Sequence, residues 1–310
     1  MQTSHKDAPA AADIIVNELA RNPGNYVPGE KLMHVSRLTR AGVWKHISAL
    51  RKQGLHIAAA IGKGYCLVEQ PDLLLPALVH TKLQTARIGR SLYYYDKISS
   101  TNAVARDLVA SGVEHGTVVV AEEQTSGRGR LDRQWISPPR ANILCSLILY
   151  PAISPSESFQ LTMLTSVAIV RAIRRICKID AGIKWPNDVY VNGKKVCGVL
   201  TEFMAEQDRI RWAVIGIGVN VNFDCGAVRE IADCAVSLQQ ICGQAVSRPA
   251  LFLAMLSELD TLYRGFVEES GAQMIRQLWE SSSLVQNRRV VISNGAEQLH
   301  GTVQGIDETG

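Results

Sequence analysis

Several signatures that would point quickly to a function are missing from this sequence. The seven cysteines, at 66, 145, 177, 197, 225, 234 and 242, include no C-x-x-C pair. An odd, irregularly spaced set suits buried thiols in a reducing compartment and excludes a disulfide framework. No apolar run approaches the ~20 residues needed to cross a bilayer, and the opening MQTSHKDAPAA lacks the layout of a signal peptide. The expectation is a cytoplasmic protein with no membrane partner. There is no internal repeat and no G-x-x-x-x-G-K-[ST] phosphate loop. GIGVN at 216–220 fails as a dinucleotide fingerprint, because Val221 stands where the third glycine should be. The central region offers only His80 and His115, so no Ser-His-Asp triad is in prospect, and no H-E-x-x-H motif supplies metal ligands.

Net charge is also small, +4 over 310 residues, so a nucleic-acid partner has to be argued from where the basic residues lie. Between Pro28 and Gly64, Lys31, Arg37, Arg40, Lys45, Arg51, Lys52 and Lys63 face the single acid Glu30. In this region ADIIVNELARNPG has helical spacing and a clear stop, GEKLMHV fits a second short helix, and RAGVWKHISALRKQG a third ending at Gly54. LHIAAAIGKGYCLVE then predicts a hairpin. Three helices and a basic-tipped hairpin are the layout of a winged helix-turn-helix. The third helix would read bases through Arg40, Ala41, Trp44 and Lys45, with Arg51 and Lys63 on phosphates. A helical protein-interaction module with a solvated basic face is the competing reading. The segment QPDLLL at 70–75 predicts a linker, ending a first domain at about residue 70.

From Tyr93 onward, β-rich runs alternate with the amphipathic helices SSTNAVARDLVASG and SESFQLTMLTSVAIVRAIRRICK, and VNGK at 191–194 signals a two-residue hairpin turn. A mixed sheet with helices packed on it, hence an α+β fold, is expected. The loop TSGRGRLDRQW at 125–135 leaves the strand-like run TVVVAEE. Its glycines allow close backbone approach, and Arg128, Arg130 and Arg133 offer planar forks for phosphate or carboxylate. Such a loop could equally contact RNA or be solvated. KWPND at 184–188 and GIGVN add two further strand ends. An anion-rich pocket without a protein nucleophile suits a reaction between two substrates, such as carboxylate attack on the α-phosphate of ATP.

Taken in order, SSTN, QTSGRGRLDRQW, KWPND, NGKKVCGVLTE and GIGVNVN resemble the biotin protein ligase family over roughly residues 95 to 225. The N-terminal GEKL, TRAGVWKHISALRKQGLHI and GKGY are similar to the bifunctional members that are also biotin-operon repressors. The resemblance implies three parts: a winged helix-turn-helix over 1–70, a biotin- and ATP-binding ligase domain over 76–282, and part of an SH3-like β-barrel over 283–310. It implies that biotin and MgATP form biotinyl-5′-AMP, which a lysine of the biotin carboxyl carrier domain of acetyl-CoA carboxylase then attacks. It implies that Ser100, Thr101, Asn102 and Gln124 contact biotin, and that Arg128, Gly129 and Arg130 close over biotin and the adenylate. Lys184, with Arg130, is the expected catalytic residue, lying against the biotin carboxyl group and the α-phosphate. Arg128, Arg133, Gly216, Gly218 and Asn220 fall on the nucleotide side. No metal site made by protein alone is implied. The adenylate-bound form is expected to be a homodimer on operator DNA. Trp135 is expected in the core or against the ligand, and Asn187 and Asp188 are expected to organise the turn after Pro186, with binding of metal or nucleotide as the alternative.

Three departures stand out. Arg37 occupies the helix-turn-helix turn where the family usually has glycine, and Gly42 replaces a helix former. The SH3-like segment reaches only its opening strands, a three-strand remnant, by Gly310. A non-catalytic biotin-sensing repressor and a lipoate or octanoyl transferase are the alternative functions.

Overall fold

The computed structural model describes residues 11–69, 72–267, 271–294, 297–307 and 310. The apolar spacing of AADIIVNELA builds α1 (Ala11–Ala20), which buries Ile15, Val16 and Leu19. It packs with α2 (Gly29–Ser36) and α3 (Arg40–Lys52) around Leu32, Val43, Ile47 and Leu50. Thr39 starts α3, its hydroxyl accepting the Gly42 N–H at 3.2 Å. Arg37 ends α2 with φ 54° and ψ 35°, its N–H returned to the Met33 carbonyl. This left-handed cap is the reason glycine is preferred there; a residue with a Cβ costs about 1–2 kcal/mol in that conformation. Gly42 has a packing reason, since a Cβ there would sit 3.2 Å from Leu38 Cβ. An antiparallel hairpin of β1 (Ile57–Ala60) and β2 (Gly64–Leu67) follows.

The expected linker is corrected in part. Gln70 and Pro71 lie outside the described residues, but Leu73, Leu74 and Leu75 are buried. The segment is therefore part of the core, ahead of the short α4 (Pro76–His80).

The central sheet has seven strands in the order β3 (Leu92–Tyr95), β4 (Val118–Ala121), β5 (Ile143–Leu149), β9 (Arg209–Val219), β8 (Lys194–Glu206), β7 (Asp188–Val191) and β6 (Gly182–Lys184). Only the β3–β4 pair is parallel. The β7–β8 turn has Asn192 and Gly193 at φ 50° and 79°, the left-handed pair that an Asn-Gly hairpin requires. One face carries Ile143, Cys145, Leu147 and Ile215 and packs on α6 (Ser158–Cys177), α8 (Arg248–Phe266) and α9 (Gly271–Ser282). The opposite face carries Val119, Ile148 and Val214, against which α5 (Thr101–Ala110) lays Ala105. That helix covers only part of the face. The uncovered part is the site.

The short α7 (Leu238–Cys242) follows β9. Beyond α9, β10 (Arg289–Asn294) and β11 (Glu297–Thr302) pair antiparallel. The described residues thus hold two C-terminal strands where three were expected. Among the described residues no helix is long and apolar enough to cross a membrane. Of the cysteines expected to be buried, Cys66, Cys145, Cys197 and Cys225 are, whereas Cys234 is exposed.

Candidate active site

The floor of the site is made of glycine. Antiparallel register sets Gly198 opposite Gly218, and Gly216 opposite both Leu200 and Ser146. A Cβ on Gly216 would come within 3 Å of the Asn102 amide oxygen, and one on Gly218 would lie 2.6 Å from the Trp135 indole. Missing side chains on these strands let a helix and a loop descend onto the sheet. A cavity of about 1060 Å³ opens between them.

Its first wall is the start of α5. Ser100 is the N-cap residue, and its hydroxyl makes no capping bond. Thr101 donates its N–H to Gln124 Oε1 at 2.7 Å, and its hydroxyl lies 3.0 Å from the same oxygen. Asn102, buried over Gly216, donates to Glu202 at 2.5 Å and accepts from Ser146 Oγ at 2.6 Å. These residues come together with Gln124. Ser146, Glu202 and Arg106 were not anticipated, because a serine inside ILCSLIL or a glutamate ending GVLTE carries no signal until register brings it under α5.

The arginine loop forms the second wall. Ser126 N–H bonds the Ser99 carbonyl at 2.9 Å, tying the loop to the start of α5. Within it the Trp135 N–H reaches the Gly127 carbonyl at 2.9 Å and the Gly129 N–H reaches the Arg133 carbonyl at 2.7 Å, so the loop folds back on itself. Leu131, at φ 55° and 85% exposed, projects from its tip. Arg128, Gly129, Arg130 and Arg133 all line the cavity. Arg130 Nη1 donates to Asn187 Oδ1 at 3.3 Å. Trp135 lies across the glycine floor, and its indole N–H is buried with no hydrogen-bond partner among the described residues.

The third wall corrects the expected lysine. Lys184, the last residue of the edge strand β6, is exposed, and its ammonium sits over the Tyr190 ring at 5.0 Å from the centroid; it does not line the cavity. Lys195 does. Val189 pairs with Cys197 but Tyr190 pairs with Lys195, so Val196 is an extra residue in β8. Such a bulge reverses the side-chain alternation. Lys195 consequently shares a face with Gly198, three residues away, and its Nζ would lie 3.1 Å from a Cβ placed there. Its ammonium is 2.7 Å from Asp188 Oδ1 and 5.6 Å from the Trp135 ring centroid. The approach to Asp188 is close but off the hydrogen-bond direction, as that oxygen has no aligned donor. We treat it as an ion pair held by proximity.

Asn187 donates to the Val199 carbonyl at 2.5 Å, fixing the turn that follows the cis Trp185–Pro186 bond, as expected of a structural residue. Asn220 is buried at the far end of the floor, its N–H on the Val196 carbonyl at 2.8 Å. Behind the floor, burial pushes the Cys145 thiol up to about 12 and raises Cys197 well above the ordinary thiol range. Both stay neutral, so neither offers a nucleophilic thiolate.

Known proteins share this architecture. A family model described as the biotin/lipoate A/B protein ligase family matches residues 94–220. The bifunctional ligase/repressor BirA of Bacillus subtilis (strain 168) is 39% identical over 297 residues, covering 94% of this chain and 90% of that protein. The chain belongs to the biotin protein ligase family. The biotin–[acetyl-CoA-carboxylase] ligase of Paracoccus denitrificans is 34% identical over 69% of this chain and 90% of its own length. The biotin protein ligase of Aquifex aeolicus, solved in complex with biotin and ATP, superposes with a TM-score of 0.60 at 31% identity, covering 71% of this chain and 89% of that one. A match over 94% of the chain necessarily takes in most of its N-terminal helices, so this biotin protein ligase shares more with the bifunctional relative than the catalytic sheet. Among its described residues no three His, Cys, Asp or Glu side chains converge as a protein-only metal site requires.

The N-terminal face is separate from the cavity. Arg40, Ala41, Trp44 and Lys45 are exposed at the start of α3, Trp44 by 61%. Lys63 is exposed near the hairpin tip beside a fully exposed Ile61. Arg51 is exposed as well, and its Nε donates to the Ile57 carbonyl at 2.7 Å, which staples α3 to the hairpin.

Proposed function

We propose that this protein activates biotin with MgATP to biotinyl-5′-AMP and transfers the biotinyl group to a lysine of a biotin carboxyl carrier domain. The observation that carries the reading is the meeting of the α5 start, the arginine loop and Lys195 over one glycine floor. Ser100, Thr101, Asn102 and Gln124 would hold the ring of biotin. Arg128, Arg130 and Lys195 would face its carboxylate and the α-phosphate, and Arg133, Gly216, Gly218 and Asn220 the nucleotide. In the first step a carboxylate oxygen attacks the α-phosphorus and pyrophosphate leaves. In the second, the carrier lysine attacks the acyl carbon and AMP leaves. Lysine and arginine forks stabilise charge as it builds on the phosphoryl oxygens, and the closed loop keeps water from the anhydride. Magnesium belongs to the MgATP substrate; of the carboxylates that line the cavity, Asp188 is paired with Lys195 and Glu202 with Arg106, and Glu230 stands beside them.

The same reading divides the chain into a winged helix-turn-helix over 1–70, a ligase domain over 76–282 and an SH3-like segment over 283–310. Arg40, Ala41, Trp44 and Lys45 would enter the major groove, and Arg51 and Lys63 would meet phosphate. The adenylate-bound homodimer would then repress biotin genes, with biotinyl-5′-AMP as corepressor. The test is pyrophosphate release with biotin and MgATP, followed by mass spectrometry of a carrier domain. Biotin-dependent release and a gain of one biotinyl group on one lysine are expected. No biotin-dependent turnover at saturating MgATP would overturn the enzyme, and DNA binding that persists without turnover would favour the sensor alone.

A further inference from the structure

Beneath the start of α5, side chains from several elements form a continuous hydrogen-bonded chain. Arg106 Nη1 donates to Glu202 Oε1 at 2.6 Å, and Asn102 Nδ2 donates to Glu202 Oε2 at 2.5 Å. Ser146 Oγ lies 2.6 Å from Asn102 Oδ1 and 2.8 Å from Thr101 Oγ1. Thr101 then donates its N–H to Gln124 Oε1 at 2.7 Å.

The polarity of this chain is determined from one end. A guanidinium only donates and a carboxylate only accepts. Glu202 therefore takes Arg106 on one oxygen and the Asn102 NH₂ on the other. Asn102 is left to present its oxygen to Ser146, whose single proton goes to it; the Thr101 hydroxyl then donates to Ser146, and the Thr101 N–H holds the Gln124 oxygen. Ser146 is completely buried, so water offers no alternative partner. The direction of the amide over the cavity floor is thus decided by an ion pair on β8 and α5. Packing of α5 does not require the chain, because Ala105, with Val104, Leu108 and Val109 beside it, already seats the helix on the sheet. The polar chain runs on the cavity side: Arg106 and Glu202 line the space together with Thr101, Asn102 and Gln124.

We propose that Glu202 and Ser146, with Arg106 behind them, are positioning residues that set the donor and acceptor pattern which Thr101, Asn102 and Gln124 present to the ring of biotin. This rests on the biotin reading of the cavity. A glutamine at 202 puts an NH₂ in place of one of the two oxygens, so it cannot accept from Arg106 and Asn102 at the separate positions they occupy, and Asn102 is free to turn over. Loss of the Ser146 hydroxyl leaves the Asn102 oxygen without its buried donor. Either change should weaken recognition of the ring and leave recognition of the nucleotide intact.

The experiment measures adenylate formation in the full chain by pyrophosphate release, with biotin and ATP varied separately and the melting temperature recorded alongside. Glu202→Gln and Ser146→Ala should raise KM for biotin about tenfold and leave KM for ATP within about twofold. Both should narrow the preference for biotin over 2-iminobiotin, in which the ring carbonyl is replaced by an imine. Arg106→Lys, which keeps a cationic donor, should behave as the wild type, whereas Arg106→Met should follow Glu202→Gln. An unchanged KM for biotin in Glu202→Gln overturns the inference. So does a joint rise of both KM values with a lowered melting temperature, which is the mark of a structural role. If the wild type itself turns over no biotin, the biotin reading falls and the inference with it, a result distinct from either.

Discussion

With its ammonium beside Asp188 and over Trp135, Lys195 has its charge only partly compensated in the ligand-free protein. Phosphoryl and carboxylate oxygens entering the cavity compete with one carboxylate for it. Removing that donor where charge develops should lower kcat for adenylate formation by about 10²–10³-fold. Lys195→Ala is expected to show this loss by pyrophosphate release, and Lys184→Ala to stay within about twofold of the wild type. Equal effects would contradict the assignment. Arg130 separates two functions in the same way. Arg130→Ala should speed adenylate release about tenfold, read by stopped-flow, without altering DNA affinity of the ligand-free protein. The motifs around these residues were legible in the sequence. Which lysine enters the cavity was not, because both follow a strand-like run and only the extra residue Val196 turns Lys195 inward. Likewise the bond from Arg51 Nε to the Ile57 carbonyl of the hairpin has no signal in the sequence.

At the level of elements, local chemistry carried well where a turn or cap has a single solution. Asn192 and Gly193 form the expected hairpin turn, and the glycine rule broken at Arg37 is visible as a left-handed cap. It carried poorly at 70–75, where prolines advertised a linker and the leucines between them are buried. Asp260 of α8 was also invisible in sequence. Its carboxylate accepts the N–H groups of Ala86, Arg87 and Ile88 at 2.9–3.0 Å, tying α8 to the turn before β3. Burial raises its pKa, but the three N–H bonds outweigh burial and hold it below the ordinary value of 3.8. A carboxyl depressed in the folded state stabilises above its unfolded pKa and loses that contribution as pH falls through the folded one. Chemical denaturation should therefore show stability falling below about pH 4, and Asp260→Asn should be less stable at pH 7 with a flatter acid limb. An unchanged acid limb would exclude Asp260 as its source.

Across the whole molecule, one side chain links segments that the sequence keeps far apart. Arg248, fully buried at the start of α8, donates from Nη1 to Glu122 at 2.6 Å and to the Asn142 carbonyl at 3.0 Å, and from Nε to Asp72 at 2.8 Å. Its Nη2 also reaches the Asp72 carbonyl, and Asp72 accepts the Arg248 backbone N–H at 2.8 Å. Glu122 is buried as well and pairs with no other cation among the described residues. Arg248→Met should thus destabilise the fold by about 3–5 kcal/mol, the cost of a stranded buried charge. Adding Glu122→Gln should recover part of it, measured by urea unfolding. A loss near zero would mean that solvent reaches Glu122. Nothing in the sequence around 72, 122 or 248 announces this contact, since it exists only after β4, β5 and α8 have met.

The same guanidinium has a mechanical consequence. It pins the point where the chain leaves the N-terminal helices, and it pins Glu122, two residues before Gln124. A pull on the chain at Asp72 is therefore met by a buried ion pair that stands beside the first wall of the cavity.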